Sequence, residues 1–336
     1  MDTKSSVLAK ERIEEQEIQT ELIKKAKRKE KLSLFIPFFG IVFVTLFFAI
    51  VTGGNSLSMN NITNIMNQSF SIIIVSVGAV FVYSHGGMDM SPGAVQGLTS
   101  VVVASLILST SIPGFLILPV SILIGAICGF FTGAIHVGIG VPAFVVSLCV
   151  KYIATGITRT ATSKSDIYIP YSEFSYWNKT SIKIIVLLSV IVIGYLVFEY
   201  TRVGKYLKAI GGNYNTASQC GIKVKKYTVL AYSILGATTG LVSLFSLTRT
   251  GVVSSSTGQG FELDILTAIV LGGFPLNGGA KSRLSFAVIG AITVAVLTNG
   301  LILWGVGPEI IGGIKGILFL VIVYLSYERK KGEVIN

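Results

Sequence analysis

The chain has 336 residues, 51% of them apolar and only 13% charged, with a mean hydropathy of +0.75. A soluble domain carries about 25% charged residues, so a water-facing globule is excluded. Three scattered cysteines and two histidines support neither a disulfide framework nor a zinc centre. The net charge of +11 would suit either nucleic acid or the cytoplasmic face of a membrane protein, and its distribution along the chain decides between them.

Residues 1–31 are hydrophilic, with seven acids and nine bases. Pairs such as Glu21 and Lys25 lie one helical turn apart, which predicts a solvated cytoplasmic helix ending in a basic cluster. A partner-docking role for it is the alternative. No small-residue cleavage site follows a short apolar core, so a removable signal peptide is not expected.

From Lys31 to Lys151 the only charged side chain is Asp89. About 20 apolar residues cross a bilayer as helix, and ten apolar runs are candidates: 32–52, 67–85, 91–110, 113–137, 142–160, 181–199, 228–248, 263–275, 284–304 and 309–326. The eighth is too short to cross unaided. It leads into Gly272-Gly273-Phe274-Pro275-Leu276-Asn277-Gly278-Gly279, a stretch that predicts broken or re-entrant backbone. With the N-terminus inside, the pieces 1–31, 200–227, 276–283 and 327–336 hold twenty Lys or Arg, while the longest outer loop, 161–180, holds two. Basic residues gather on the cytoplasmic side. The expected fold is therefore an all-α polytopic membrane protein of about ten helices with both termini cytoplasmic. It comprises a permease domain over 32–326, a charged segment 1–31 and a tail 327–336. The same count accounts for the charge without nucleic acid.

Two segments carry polar chemistry. In Gly86-Gly87-Met88-Asp89-Met90-Ser91-Pro92-Gly93 the glycines release helical dihedrals, and Ser91-Pro92 reads as an N-cap followed by proline at the first helical position. Asp89 would then lie near a positive helix end, in a discontinuous helix of the kind that forms polar sites in transporters. The plain alternative is a tight turn with a solvated or capping Asp89. In the basic loop 200–227, Asn213 is expected to cap two helical turns over 214–220, with Gly221 as the left-handed stop. Such a helix could be a cytoplasmic knob for a partner or simply part of a loop anchored to lipid head groups. The pairs Gly86-Gly87 and Gly272-Gly273 are followed at equal spacing by Gly93 and by Gly279, the latter next to Gly278, which would fit an internal duplication. Asn299, inside the ninth span, is expected to hydrogen-bond between helices. Glu262 and Asp264 stand at the outer edge of the eighth span, where they are expected to be solvated or capping, with Arg249 as a candidate partner for one of them. No phosphate-binding loop, metal-ligand cluster or nucleophile–base pair occurs, so no catalytic residue, cofactor or metal is expected.

These residues carry a resemblance. Gly86–Gly93 resembles the G-G-[IM]-D-[LM]-S-x-G signature of the ribose-type sugar permeases, the membrane subunits of ATP-binding-cassette (ABC) importers. Ala209-Ile210-Gly211-Gly212-Asn213 through Ala217 to Gly221-Ile222 is similar to their G-G-N loop. Phe261-Glu262-Leu263-Asp264 through Asn277-Gly278-Gly279 and Thr298-Asn299-Gly300-Leu301 are similar to two further motifs, in the same order. Pro92, Thr216, Pro275-Leu276 and Lys281-Ser282-Arg283 depart from the family pattern. The resemblance implies a permease for a monosaccharide or related polyol in the bacterial plasma membrane. It implies a second permease copy, a cytoplasmic cassette ATPase and an extracytoplasmic sugar-binding protein as partners. It assigns Gly211, Gly212, Asn213, Ala217 and Gly221 to ATPase coupling. Gly86, Gly87, Asp89 and Ser91 go to a broken helix beside the pathway, and Gly272, Gly273, Asn277 and Asn299 are grouped with them. A nucleoside-type permease or a self-contained secondary transporter are the alternatives.

Overall fold

The computed structural model describes residues 38–110, 113–170 and 174–326. The predicted N-terminal helix and the C-terminal tail lie outside them. Twelve helices are described: α1 (Phe38–Val51), α2 (Met59–Ser84), α3 (Pro92–Ser109), α4 (Ile117–Ile139), α5 (Ala143–Ala161), α6 (Thr180–Tyr195), α7 (Arg202–Gly212), α8 (Tyr214–Gln219), α9 (Val224–Thr250), α10 (Phe261–Leu271), α11 (Leu284–Leu303) and α12 (Pro308–Ser326). The chain is an all-α polytopic membrane protein. Helices α2, α3, α4, α6, α9 and α11 are long and apolar enough to cross a bilayer; α4 is lengthened at its start to Gly114 and α6 at its end to Tyr200.

Among the described residues each of the ten apolar runs contains a helix, and the shifted edges have local causes. Helix α2 starts at Met59 rather than 67 because polar side chains can form its first turns. Asn61 Nδ2 donates to Ser56 O at 2.8 Å, and Asn67 Nδ2 donates to Thr63 O at 3.0 Å. Helix α10 has eleven residues, roughly 16 Å of rise, and covers about half the hydrocarbon core.

Helix α2 is the central post. It is buried almost continuously from Phe70 to Ser84 and packs on α9, α10 and α11. In α4 only 22% of the apolar window is buried, and in α6 only 17%, against 72% in α2. Those two helices present their apolar faces outward, as lipid contact requires. One face of α4 is the exception. Gly125, Gly129 and Gly133 recur every fourth residue and meet Gly236, Gly240 and Tyr232 of α9. A methyl group at Gly125 would stand 2.2 Å from Gly236 O, and one at Gly240 would stand 2.1 Å from Ser121 O. Removing side chains along both stripes lets the backbones touch, so dispersion and close packing hold the pair where the hydrophobic effect does not act.

The two ends of the bundle differ. At one, β1 (Ile167–Tyr168) pairs antiparallel with β2 (Val252–Val253). Lys183 Nζ donates to Asn67 Oδ1 there at 2.9 Å, and Trp177 and Phe70 both pack on Phe245. The other end collects the close of α2, the close of α7 and residues 277–279. Segments that the charge count places on one side of the membrane thus meet at one end.

Candidate functional site

Helix α2 closes with a Schellman motif, in which Gly86 N donates to Tyr83 O at 3.1 Å and Gly87 N to Val82 O at 3.2 Å. The motif needs a left-handed residue, and Gly86 supplies it with φ 81°. Residues 87–91 are non-helical, and α3 begins at Pro92. Asp89 lies in this break and is only 5% exposed. The Ser91 backbone N–H and hydroxyl both donate to Asp89 Oδ1 at 2.7 Å. Ser91 therefore holds the N-cap position, as its place before proline predicts, but its hydroxyl turns back to the carboxylate instead of capping α3. Neighbouring helices fix the break: Met90 N donates to Ser147 Oγ of α5 at 3.1 Å, and the Tyr232 hydroxyl of α9 donates to Met88 O at 3.4 Å.

Helix α10 ends in the same way. Gly273 N donates to Val270 O at 2.9 Å and Phe274 N to Ile269 O at 3.1 Å, with Gly273 left-handed at φ 83°. In the first break the left-handed residue is the first glycine of the pair; here it is the second. The two glycine pairs are out of register by one residue, so the equal spacing does not mark a structural repeat.

The breaks converge on one carbonyl. Gly279 N donates to Ser84 O at 2.8 Å. A methyl group at Gly278 would lie 2.4 Å from Ser84 O, and one at Gly86 would lie 3.4 Å from Asn277 O. Gly211, in the last turn of α7, completes the cluster, because a methyl group there would stand 2.1 Å from Ser84 O and 2.7 Å from Gly279 N. Three glycine motifs separated by 125 and 68 residues of sequence, at Gly86, Gly211 and Gly279, therefore share one point.

Helix α8 hangs from it. Asn213 Oδ1 accepts from Thr216 N at 3.0 Å, Gly221 is left-handed at φ 80°, and Ile222 N donates to Ala217 O at 3.2 Å. Between Gly212 and Gly221 only Ala217 is buried. Ala217 seats the short helix, while its other side chains, Tyr214 among them at 56% exposure, point away from the bundle.

Other polar groups lie elsewhere. Asn299 is on α11, fifteen residues past Leu284 and so roughly 22 Å up the helix from the glycine cluster. Its Oδ1 is buried without a hydrogen-bond partner among the described residues, facing Phe48 and Ser56 across a small cavity. The expected interhelical hydrogen bond through that oxygen does not form, and the structure does not bring Asn299 to the breaks. Glu262 and Asp264, in the first turn of α10, are neither solvated nor capping but both paired with lysines, and not with Arg249. Lys151 of α5 reaches Glu262 Oε1 at 2.6 Å, and Lys315 of α12 binds Asp264 Oδ1. The signal for these pairs was a lysine midway along each of two largely apolar spans, Lys151 and Lys315, each needing a counter-charge that the sequence does not name. The start of α3 packs against the start of α10, since a methyl group at Gly93 would strike Gly258 O and Glu262 Oε2. Two discontinuous helices thus meet N-terminus to N-terminus.

Comparison with known proteins identifies the architecture. Residues 61–323 match the family described as branched-chain amino acid transport system / permease component. The chain belongs to this family. Within it, the ribose-type likeness read from the motifs holds. The chain is 32% identical over 253 residues to the ribose import permease of Haemophilus influenzae, covering 73% of this chain and 78% of that one. It is 30% identical over 284 residues to the D-allose transport system permease of Escherichia coli, covering 82% and 87%. It is 26% identical over 288 residues to the fructose import permease of Bifidobacterium longum, covering 81% and 84%. No solved structure matches the chain.

Proposed function

We propose that the chain is the membrane permease subunit of a bacterial ABC importer for a monosaccharide or related polyol. It sits in the inner membrane, pairs with a second permease and leaves ATP hydrolysis to a cytoplasmic ATPase. The observation that carries the reading is α8, a capped helix projecting from the end of the bundle where both helix breaks are tied to Gly211. A force applied to α8 passes through Gly211 to Ser84 O and Gly279 N, and so reaches both discontinuous helices in one step. Within this reading Gly212, Asn213, Ala217 and Gly221 shape the contact with the ATPase, and Gly211 transmits its motion. Gly86, Gly87, Asp89 and Ser91 form the first movable break, and Gly272, Gly273 and Asn277 the second. Asn299 belongs to the outer half of the pathway. A secreted sugar-binding protein delivers substrate to the opposite end, which β1 and β2 form.

Affinity purification of the tagged chain from its own membranes tests the contact. A cassette ATPase should co-purify, and replacing residues 211–221 with a flexible linker should abolish it. Undiminished co-purification of the ATPase with the linker variant would refute the assignment.

A further inference from the structure

Helix α5 has nineteen residues, long enough to cross a bilayer, but its outer surface is not that of a lipid-facing helix. From Leu123 to Ile135 every exposed side chain of α4 is Leu, Ile or Phe. On α5 the exposed residues include Cys149, Tyr152, Gly156, Arg159 and Thr160, and 28% of the Lys151 side chain is accessible. Lys151 is eight residues past Ala143, roughly 12 Å into a helix of about 28 Å, so it stands near mid-membrane. Its partner Glu262 lies at the same depth. The approach to Glu262 is not helical: residues 254–260 form no helix or strand, and Gln259 among them is exposed. A methyl group at Gly97 would lie 2.7 Å from Thr257 O and 3.3 Å from Thr158 Oγ1, so this stretch runs beside the middle and outer half of α5. Irregular backbone and charged side chains occur at such depth only against protein or a water-filled cavity.

A cavity of about 330 Å³ lies between the two segments, with Lys151, Tyr152, Thr155 and Arg159 on one side and Gln259 and Glu262 on the other. Tyr152 is 71% exposed, and Arg159 and Gln259 are exposed too, so this face is uncovered where lipid is a poor cover for it. Gly156 points to what does cover it. Among the described residues nothing lies within 4 Å of a methyl group placed there, although an interior glycine costs a helix about 0.5–1 kcal/mol relative to alanine. Cys149, Gly156 and Thr160 set small side chains along one line of α5. Between α4 and α9 the same chain uses such a line to bring two backbones together. We infer that the face formed by α5 and residues 254–263 is where a second copy of this chain packs. A two-fold axis presents the same patch on both subunits, so the two open cavities face each other and enclose one aqueous space. One contact then shields Lys151, Arg159 and Gln259 of both copies from lipid. The inference rests on the importer reading, which pairs the chain with another permease, and it names the face and the partner of that pair.

The test uses the full chain in its own membranes and purified from them with its ATPase. In a Cys128→Ser, Cys220→Ser background the native Cys149 is the one remaining cysteine. A short bis-maleimide should then join two copies through it. The same background with Cys149→Ser and Leu188→Cys, a position on the exposed face of α6, should give no covalent dimer. Gly156→Phe adds a side chain where the single chain has room, so its melting temperature should stay near wild type while the permease mass in the purified assembly halves. Phe131→Trp, on the lipid face of α4, should leave the pair intact. Equal crosslinking from Cys149 and Leu188→Cys, a pair that survives Gly156→Phe, or a wild-type pair formed with a different permease would overturn the proposed contact and leave the importer reading standing. A wild-type assembly that holds the ATPase but no second permease of any kind would overturn that reading and the contact with it.

Discussion

A methyl group added at Gly211 would stand 2.1 Å from the Ser84 carbonyl oxygen, whereas one added at the adjacent Gly212 would meet nothing within 4 Å. Backbone on both sides of Gly211 leaves no flexible atom to yield, so Gly211→Ala should cost about 1–3 kcal/mol through overpacking. It should also disturb the Gly279 N to Ser84 O hydrogen bond. Gly212→Ala should leave the melting temperature in detergent near wild type. Equal melting temperatures for the two variants would contradict the convergence of the three glycine motifs. Asn213 contributes differently, through its cap on Thr216 N. Asn213→Ala should loosen α8 by about 1 kcal/mol with little change in global melting, and Asn213→Asp should keep the cap. Retention of the ATPase by each variant reads this out.

Among the elements, α10 depends most on its surroundings. It is short, and both carboxylates of its first turn are paired with lysines from other helices. Glu262 has a 6% exposed side chain, so Lys151→Met should leave a buried charge unpaired and cost about 3 kcal/mol. The double change Lys151→Met with Glu262→Gln should recover most of that loss. A double variant as unstable as the single one would show that the lysine acts by packing, not by charge. These elements also show how far the sequence could be read. The ten helices, the break after Gly86 and the Asn213 cap were legible, because apolar run length, proline, glycine and side-chain cap grammar act locally. The pairing of Glu262 with Lys151 across 111 residues was not, nor was the contact of Gly211 with Ser84. Both depend on how helices are arranged around α2, which no local pattern encodes. The shared spacing of the two glycine pairs misled in the opposite direction. In a chain with 37 glycines matching intervals arise easily, and the dihedrals at Gly86 and Gly273 put the pairs one residue out of register. The α4–α9 contact was encoded in the four-residue recurrence of Gly125, Gly129 and Gly133, a signal as plain as any used.

At the scale of the whole molecule, the account divides the protein into an end that receives substrate and an end that receives force. The basic loop carrying α8 belongs to the second, and Cys220 within it is exposed. A membrane-impermeant maleimide should therefore label Cys220 in inside-out vesicles and not in right-side-out ones, with Cys220→Ser as the control. Labelling from the outside would invert the orientation and detach α8 from any cytoplasmic ATPase. The central claim is that the chain is a conduit driven by a separate ATPase. The most direct measurement is sugar uptake by proteoliposomes holding the chain alone or with its ATPase and binding protein. The account predicts ATP-dependent uptake of a monosaccharide by the full assembly and none by the chain alone under a proton gradient. Uptake by the chain alone, driven by that gradient, would contradict it.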